Sequence, residues 1–197
     1  MKLSGDNIGE ILAALDGQLR LMGEGPVRVV VCGGTALAVL GLVDRTTKDV
    51  DVLAFVRETG DETVLEKAEP MPDWLDEAAA RVGRDFSLPP GWFNAGPTGQ
   101  LDLGLPEGCI GRLVPIRYGD ALEVLYLHRI DQIHFKLFAA VDRGGYHIQD
   151  LLALEPTEAE MTAAARWVLT QDVSEPFKEL LGQLLARIGY ERVAEGL

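Results

Sequence analysis

Val29-Val30-Val31-Cys32-Gly33-Gly34-Thr35, followed by Arg45-Thr46-Thr47-Lys48-Asp49-Val50-Asp51-Val52, carries most of what this chain reveals about itself. Its valines are β-branched and apolar, so Val27 to Cys32 reads as a buried strand. Gly33-Gly34 makes a turn, and Thr35 to Leu42 reads as a short helix rich in Ala and Leu. Val50 to Val56 is a second buried strand. Glycines at the end of a strand let a ligand approach the backbone closely. The free N–H groups at the start of a helix favour an anion such as phosphate. Asp49 and Asp51 stand two apart on a strand, so both carboxylates face one side. Held side by side they repel unless a cation sits between them. Oxygen donors select hard cations, and Mg²⁺ often takes one or two carboxylates together with substrate phosphates. Alone, a Gly-Gly pair reads as a turn and an Asp-x-Asp as a solvated strand end. In this order, with Asp51 inside the apolar run Val50-Asp51-Val52-Leu53, the burial of an unpaired charge would be costly. The two features then read together as a phosphate cradle beside a metal-binding pair, the minimum for phosphoryl or nucleotidyl transfer.

On the N-terminal side, Ile8, Ile11, Leu12, Leu15 and Leu19 form a helical stripe that Ser4 or Asp6 can cap, ended by Gly23, Gly25 and Pro26. On the C-terminal side, 61–82 reads as two weaker helices split near Pro70 and Pro72, and 87–111 as an irregular, Pro- and Gly-rich stretch. Leu113 to Arg117 and Ala121 to Leu127 read as a hairpin around Tyr118-Gly119-Asp120. From Arg129 onward the pattern is helical: Ile130, Ile133, Leu137, Ala140 and Val141 share a stripe. Thr157-Glu158-Ala159-Glu160 is a capping box, and Ser174 with Pro176 opens a last helix. The expected division is an α/β core over 1–127 and a helical segment over 128–197 packed on it. Strands and helices do not alternate regularly, and Gly33-Gly34 lacks the spacing of a dinucleotide-binding turn, so a doubly wound sheet is disfavoured.

Composition narrows the function classes. Of 197 residues, 31 are acidic and 18 are Lys or Arg, a net charge of −13, which argues against non-specific grip on nucleic acid. Two cysteines rule out a disulfide scaffold, and with no signal-like start they suggest reduced thiols and a cytoplasmic location. No apolar run approaches the roughly 20 residues that span a bilayer.

Gly33-Gly34-Thr35-Ala36-Leu37, then Gly41, then Arg45-x-Thr47-x-Asp49-Val50-Asp51 resembles the signature of the polymerase-β-type nucleotidyltransferase superfamily, and within it the AbiEii-like branch of bacterial toxin–antitoxin systems. The resemblance is sharp over 29–55 and looser over 120–155. It implies an α+β fold: a small mixed sheet with helices, followed by a helical C-terminal segment. It implies that the Gly-Gly turn holds a nucleoside triphosphate, that the Asp-x-Asp pair binds Mg²⁺, and that a third carboxylate on a later strand completes the site. Glu123, the lone charge in Leu122-Glu123-Val124-Leu125-Tyr126-Leu127, is the chosen third carboxylate, with Asp102 second and Asp120 read as a turn residue. AbiEii-like proteins carry a Lys-x-x-Ala-x-x-x-Arg helix followed by Asp-Leu, which Lys136, Arg143 and Asp150 resemble. Lys136 and Arg143, seven apart, share a helix face and could neutralise a triphosphate.

The resulting expectation is a Mg²⁺-dependent nucleotidyltransferase. Gly33, Gly34, Thr35, Arg45, Lys136 and Arg143 would hold the nucleotide, Asp49, Asp51 and Glu123 the metal, with Lys136 assisting catalysis. The acceptor is open between transfer RNA, a protein hydroxyl and a small molecule, with a cognate toxin or antitoxin as partner. The rival expectation is a non-catalytic module of the same fold that binds nucleotide or a partner protein. His128, His134 and His147 show no metal-ligand spacing. Trp92-Phe93-Asn94 closes over the core rather than stacking on a base.

Overall fold

The computed structural model describes residues 2–60 and 62–197. Its elements run α1 (Ile8–Met22), β1 (Val27–Cys32), α2 (Gly33–Val39), β2 (Val50–Thr59), β3 (Glu62–Lys67), α3 (Asp73–Asp85) and β4 (Phe93–Asn94). A 3₁₀ turn at Gly96–Gly99 leads to α4 (Gln100–Leu103), α5 (Cys109–Arg112), β5 (Val114–Arg117) and β6 (Leu122–Tyr126). Helices α6 (Arg129–Arg143), α7 (Tyr146–Ala153), α8 (Glu158–Gln171), α9 (Glu175–Arg187) and α10 (Glu191–Glu195) complete it. The chain is therefore α+β. It divides into two compact units, one of Met1–Asp102 with Gly108–His128, the other of Leu103–Glu107 with Arg129–Leu197. Gln171 Nε2 donates to Leu103 O at 3.2 Å, which ties 103–107 to the helices of the second unit.

The first unit holds a mixed open sheet in the order β3-β2-β1-β6-β5, with the short β4 also paired to β2. Strand β1 runs antiparallel to β2 and parallel to β6. Helices α1 and α3 cover one face. Ile8, Ile11, Leu12, Leu15 and Leu19 of α1 pack with Leu75, Ala78 and Val82 of α3 over Val27, Val29, Val31, Val50, Val52 and Val124. Each such leucine, fully buried, contributes roughly 1.5–3 kcal/mol. Gly23 ends α1 in a left-handed conformation, φ 74°. The N-cap residue is Asn7 rather than Ser4 or Asp6, and the Asn7 side chain accepts from Ser4 N at 2.8 Å.

Two expectations are corrected here. Helix α2 starts at Gly33, two residues before Thr35, and is only seven residues long. The stretch taken for two helices holds β3 and then α3; Asp61 lies outside the described residues. Strand β3 pairs antiparallel with β2 from Thr59↔Glu62 to Ala54↔Lys67, extending β2 to Thr59. Cross-strand pairing, with Arg57 2.9 Å from Glu66, holds a segment too polar to announce itself as a strand.

The second unit is all helical. Arg129 at the start of α6 gathers the chain ahead of α8, donating to the carbonyls of Leu154 and Glu155 and to Glu160 Oε1, all at 2.7–2.9 Å. The capping box at Thr157 and Glu160 is formed in both directions. Ser174 is the N-cap of α9, with Pro176 in its first turn. No helix among the described residues is long and apolar enough to cross a membrane.

Candidate functional site

Strand β1 ends at Cys32, which pairs with Asp51 of β2. Gly33 follows with φ +70°, a left-handed backbone that favours glycine. Space makes the same demand. A Cβ built on Gly33 would lie 2.6 Å from Asp51 Oδ2. One built on Gly34 would lie 2.9 Å from both Arg45 Nη2 and Thr47 Oγ1. The two glycines are thus a floor on which an acidic, a basic and a hydroxyl side chain rest. Val50 and Val52 belong to the core beneath α1 and α3, so alternation turns Asp51 to the opposite face of the sheet.

The segment that brings Asp49 here is held at three points. Thr47 exchanges backbone hydrogen bonds with Leu3, N to O at 2.9 and 2.8 Å. The buried Thr35 hydroxyl donates to Asp49 O at 2.6 Å. Thr47 Oγ1 donates to Asp49 Oδ1 at 3.2 Å. Thr35, expected to meet phosphate, therefore spends its proton on positioning Asp49. Gly33, Gly34, Thr35, Arg45, Asp49 and Asp51 are brought together.

Glu123 is not brought to them. It stands opposite Arg28 in β1, four residues before Cys32, a distance of roughly 13 Å along the strand. Arg28 Nε donates to Glu123 Oε2 at 2.5 Å and Arg117 Nε to Oε1 at 3.0 Å. Burial alone would raise the Glu123 carboxyl pKa, but the bonds from Arg117 and Arg28 outweigh it and hold the group below its ordinary value. The lone charge in the strand is matched by arginines, which corrects its reading as a third metal ligand. Asp102 is paired with Lys67 at the surface, 2.7 Å apart.

The later-strand residue beside Asp51 is Asn94, its register partner in the parallel pair β2–β4. Its Oδ1 accepts from Gly96 N at 2.8 Å, and its Nδ2 donates to Gly91 O at 3.3 Å. This neighbour was not foreseen, because a two-residue strand after Pro89-Pro90-Gly91 has no periodicity to read. Trp92 and Phe93 are buried, and Trp92 Nε1 donates to Ala79 O at 2.8 Å, so both belong to the core.

Among the described residues, no group of three or more His, Cys, Asp or Glu side chains is placed to hold a metal ion. Asp51 rests on the glycine floor and Asp49 reaches it through Thr47, and carboxylate oxygens are the donor type that suits a hard cation drawing its remaining oxygens from phosphate and water. They do not make a three-carboxylate centre.

Lys136, Arg143 and Asp150 lie in the second unit. Lys136 Nζ is 2.7 Å from Asp150 Oδ2, with both side chains at least nine-tenths buried. The ammonium also stands 6.0 Å from the centroid of the Tyr146 ring. Lys136 is thus committed to Asp150. Arg143 is exposed and pairs with its neighbour Asp142 at 3.3 Å.

Asp16 was also not anticipated. It is buried on α1 and accepts from Ala121 N and Leu122 N at 2.7 and 2.9 Å, binding the helix to the start of β6. The signal was available: one acid among Leu12, Leu15 and Leu19 on the apolar face. Comparison with family models, with curated proteins and with solved structures returns no match to this chain.

Proposed function

We propose that this chain is a nucleotidyltransferase with a polymerase-β-type core, using Mg²⁺ to transfer a nucleoside monophosphate from a triphosphate to a hydroxyl acceptor. The observation that supports it is the convergence of Asp49 and Asp51 on the Gly33-Gly34 turn, where any side chain on Gly33 would strike Asp51. The open glycine backbone would receive the β- and γ-phosphates. Asp49 and Asp51 would hold Mg²⁺, which when bound supplies positive charge against the triphosphate and the departing pyrophosphate. The hydrogen bonds from Thr35 and Thr47 fix Asp49 in advance, so little reorganisation is left for the moment of binding. In the reaction the acceptor oxygen bonds to the α-phosphorus as the bond to pyrophosphate breaks, and the acceptor's proton leaves to water. The acceptor class is a transfer RNA, a protein or a small molecule, and a cognate toxin or antitoxin is a natural partner.

The test is a transfer screen with Mg²⁺ and each α-labelled nucleoside triphosphate against cellular RNA, protein and small-molecule pools. Wild type is expected to move label into one pool, and Asp49→Asn/Asp51→Asn to move none while keeping its circular dichroism spectrum. Label transfer that survives the double substitution overturns the proposal.

One observation favours a second reading, nucleotide or partner binding without transfer. The strand residue registered beside Asp51 is the amide Asn94, and Glu123 is spent on Arg28 and Arg117. Triphosphate binding without release of pyrophosphate would select this reading.

A further inference from the structure

Consecutive glycines in the turn carry opposite charges. Asp51 Oδ2 lies against Gly33 and Arg45 Nη2 against Gly34, each within 3 Å of the place a Cβ would take. Neighbouring Cα atoms are about 3.8 Å apart, so both charges border the same turn. Asp49 joins them through Thr47, whose hydroxyl touches the same Gly34 position and donates to Asp49 Oδ1. The anchorages on the two sides differ in kind. Asp51 belongs to a strand and Asp49 is pinned from two hydroxyls, whereas Arg45 comes from 43–46, a segment with no regular structure. Arg45 Nη1 donates to Thr46 O at 3.3 Å.

We propose that Arg45 is the exchangeable counter-ion of this site. With no metal present its guanidinium balances Asp49 and Asp51. When a divalent cation takes the carboxylates, the guanidinium turns to the phosphate groups that the cation brings. Cation and triphosphate then assist one another through a single side chain. Arginine suits the exchange: its planar fork matches both carboxylate and phosphate, and it sheds water more readily than an ammonium. The inference rests on reading the turn as a cation and triphosphate site.

The experiment is calorimetric titration of the full chain with Mn²⁺ alone, and separately with tripolyphosphate in excess Mg²⁺. Removing the positive charge has opposite effects on the two ligands. Arg45→Ala is expected to bind Mn²⁺ about three- to tenfold more tightly and tripolyphosphate at least about tenfold more weakly. Arg45→Lys keeps the charge but loses the fork, so Mn²⁺ affinity returns to that of wild type while tripolyphosphate affinity recovers only in part. Arg45→Gln, closer in length and neutral, gives the same readout as Arg45→Ala should the alanine variant fail to fold. A merely structural arginine would weaken both ligands together, and that result overturns the proposal, as does no change in either. If Asp49→Asn/Asp51→Asn loses Mn²⁺ while the Arg45 variants match wild type, the counter-ion role fails and the functional reading stands. If wild type binds neither probe, both fail.

Discussion

Asp16 is an acid where the periodicity of α1 calls for an apolar residue, and its carboxylate replaces core packing with two backbone hydrogen bonds across the fold. Asp16→Ala leaves the amides of Ala121 and Leu122 buried without an acceptor, an expected loss of about 2–4 kcal/mol in urea denaturation. Asp16→Asn keeps an acceptor oxygen and should lose less than half of that. Gly119→Ala belongs to the same joint, because a Cβ there would strike the Asp16 carboxylate. At the turn, Gly33→Ala combines left-handed strain of about 1–2 kcal/mol with a collision against Asp51. It should lower the melting temperature and abolish tripolyphosphate binding in the same sample. The candidate-site residues that the sequence offered are those whose signal is local, two glycines after a strand and the Asp-x-Asp pair, although Asp49 lies just ahead of β2 rather than on it. Glu123 could not be read, because its partner Arg28 lies 95 positions away and only the β1–β6 register brings them together. Asn94 was hidden for the same reason.

Among the elements, the pair α6–α7 is joined by the buried contact between Lys136 and Asp150. Removing one partner strands the other charge, so Lys136→Met or Asp150→Leu should each cost about 3–5 kcal/mol in denaturant unfolding. The double substitution should recover most of the loss. The junction of α6 and α8 predicts a pH dependence. The bonds from Arg129 hold the Glu160 carboxyl at about 2, well under its ordinary 4.5, against the opposing effect of burial and with help from Thr157. A carboxyl depressed on folding contributes stability that is complete above the unfolded value and is lost as pH falls toward the folded one. The melting temperature should therefore drop between about pH 4.5 and 2, and less steeply in Glu160→Gln. The elements legible in sequence were those with strong local signals, such as the apolar stripe of α1, the valines of β1 and the capping box of α8. Strand β3 was not legible. Glu62-Thr63-Val64-Leu65-Glu66-Lys67 has charged ends and a short apolar middle, and becomes a strand by pairing with β2.

At the scale of the whole molecule, a charge of −13 on 197 residues means that the folded chain repels itself. Raising sodium chloride from about 10 to 150 mM shortens the screening length from about 30 to 8 Å, so the melting temperature should rise. The same increase should weaken Mn²⁺ binding, since the acidic surface helps gather cations. The α+β class was legible at this scale, because short β-branched runs in the first part and capped helical stripes in the second are each unambiguous. The order β3-β2-β1-β6-β5 was not, for strand order depends on contacts between distant segments. The bridge between Leu3 and Thr47 has a practical side. It makes the third residue of the chain a clasp on the loop that presents Asp49. Deleting Leu3 opens it. That alteration would be felt first as lost ligand affinity, because the loop it releases carries a carboxylate of the candidate site.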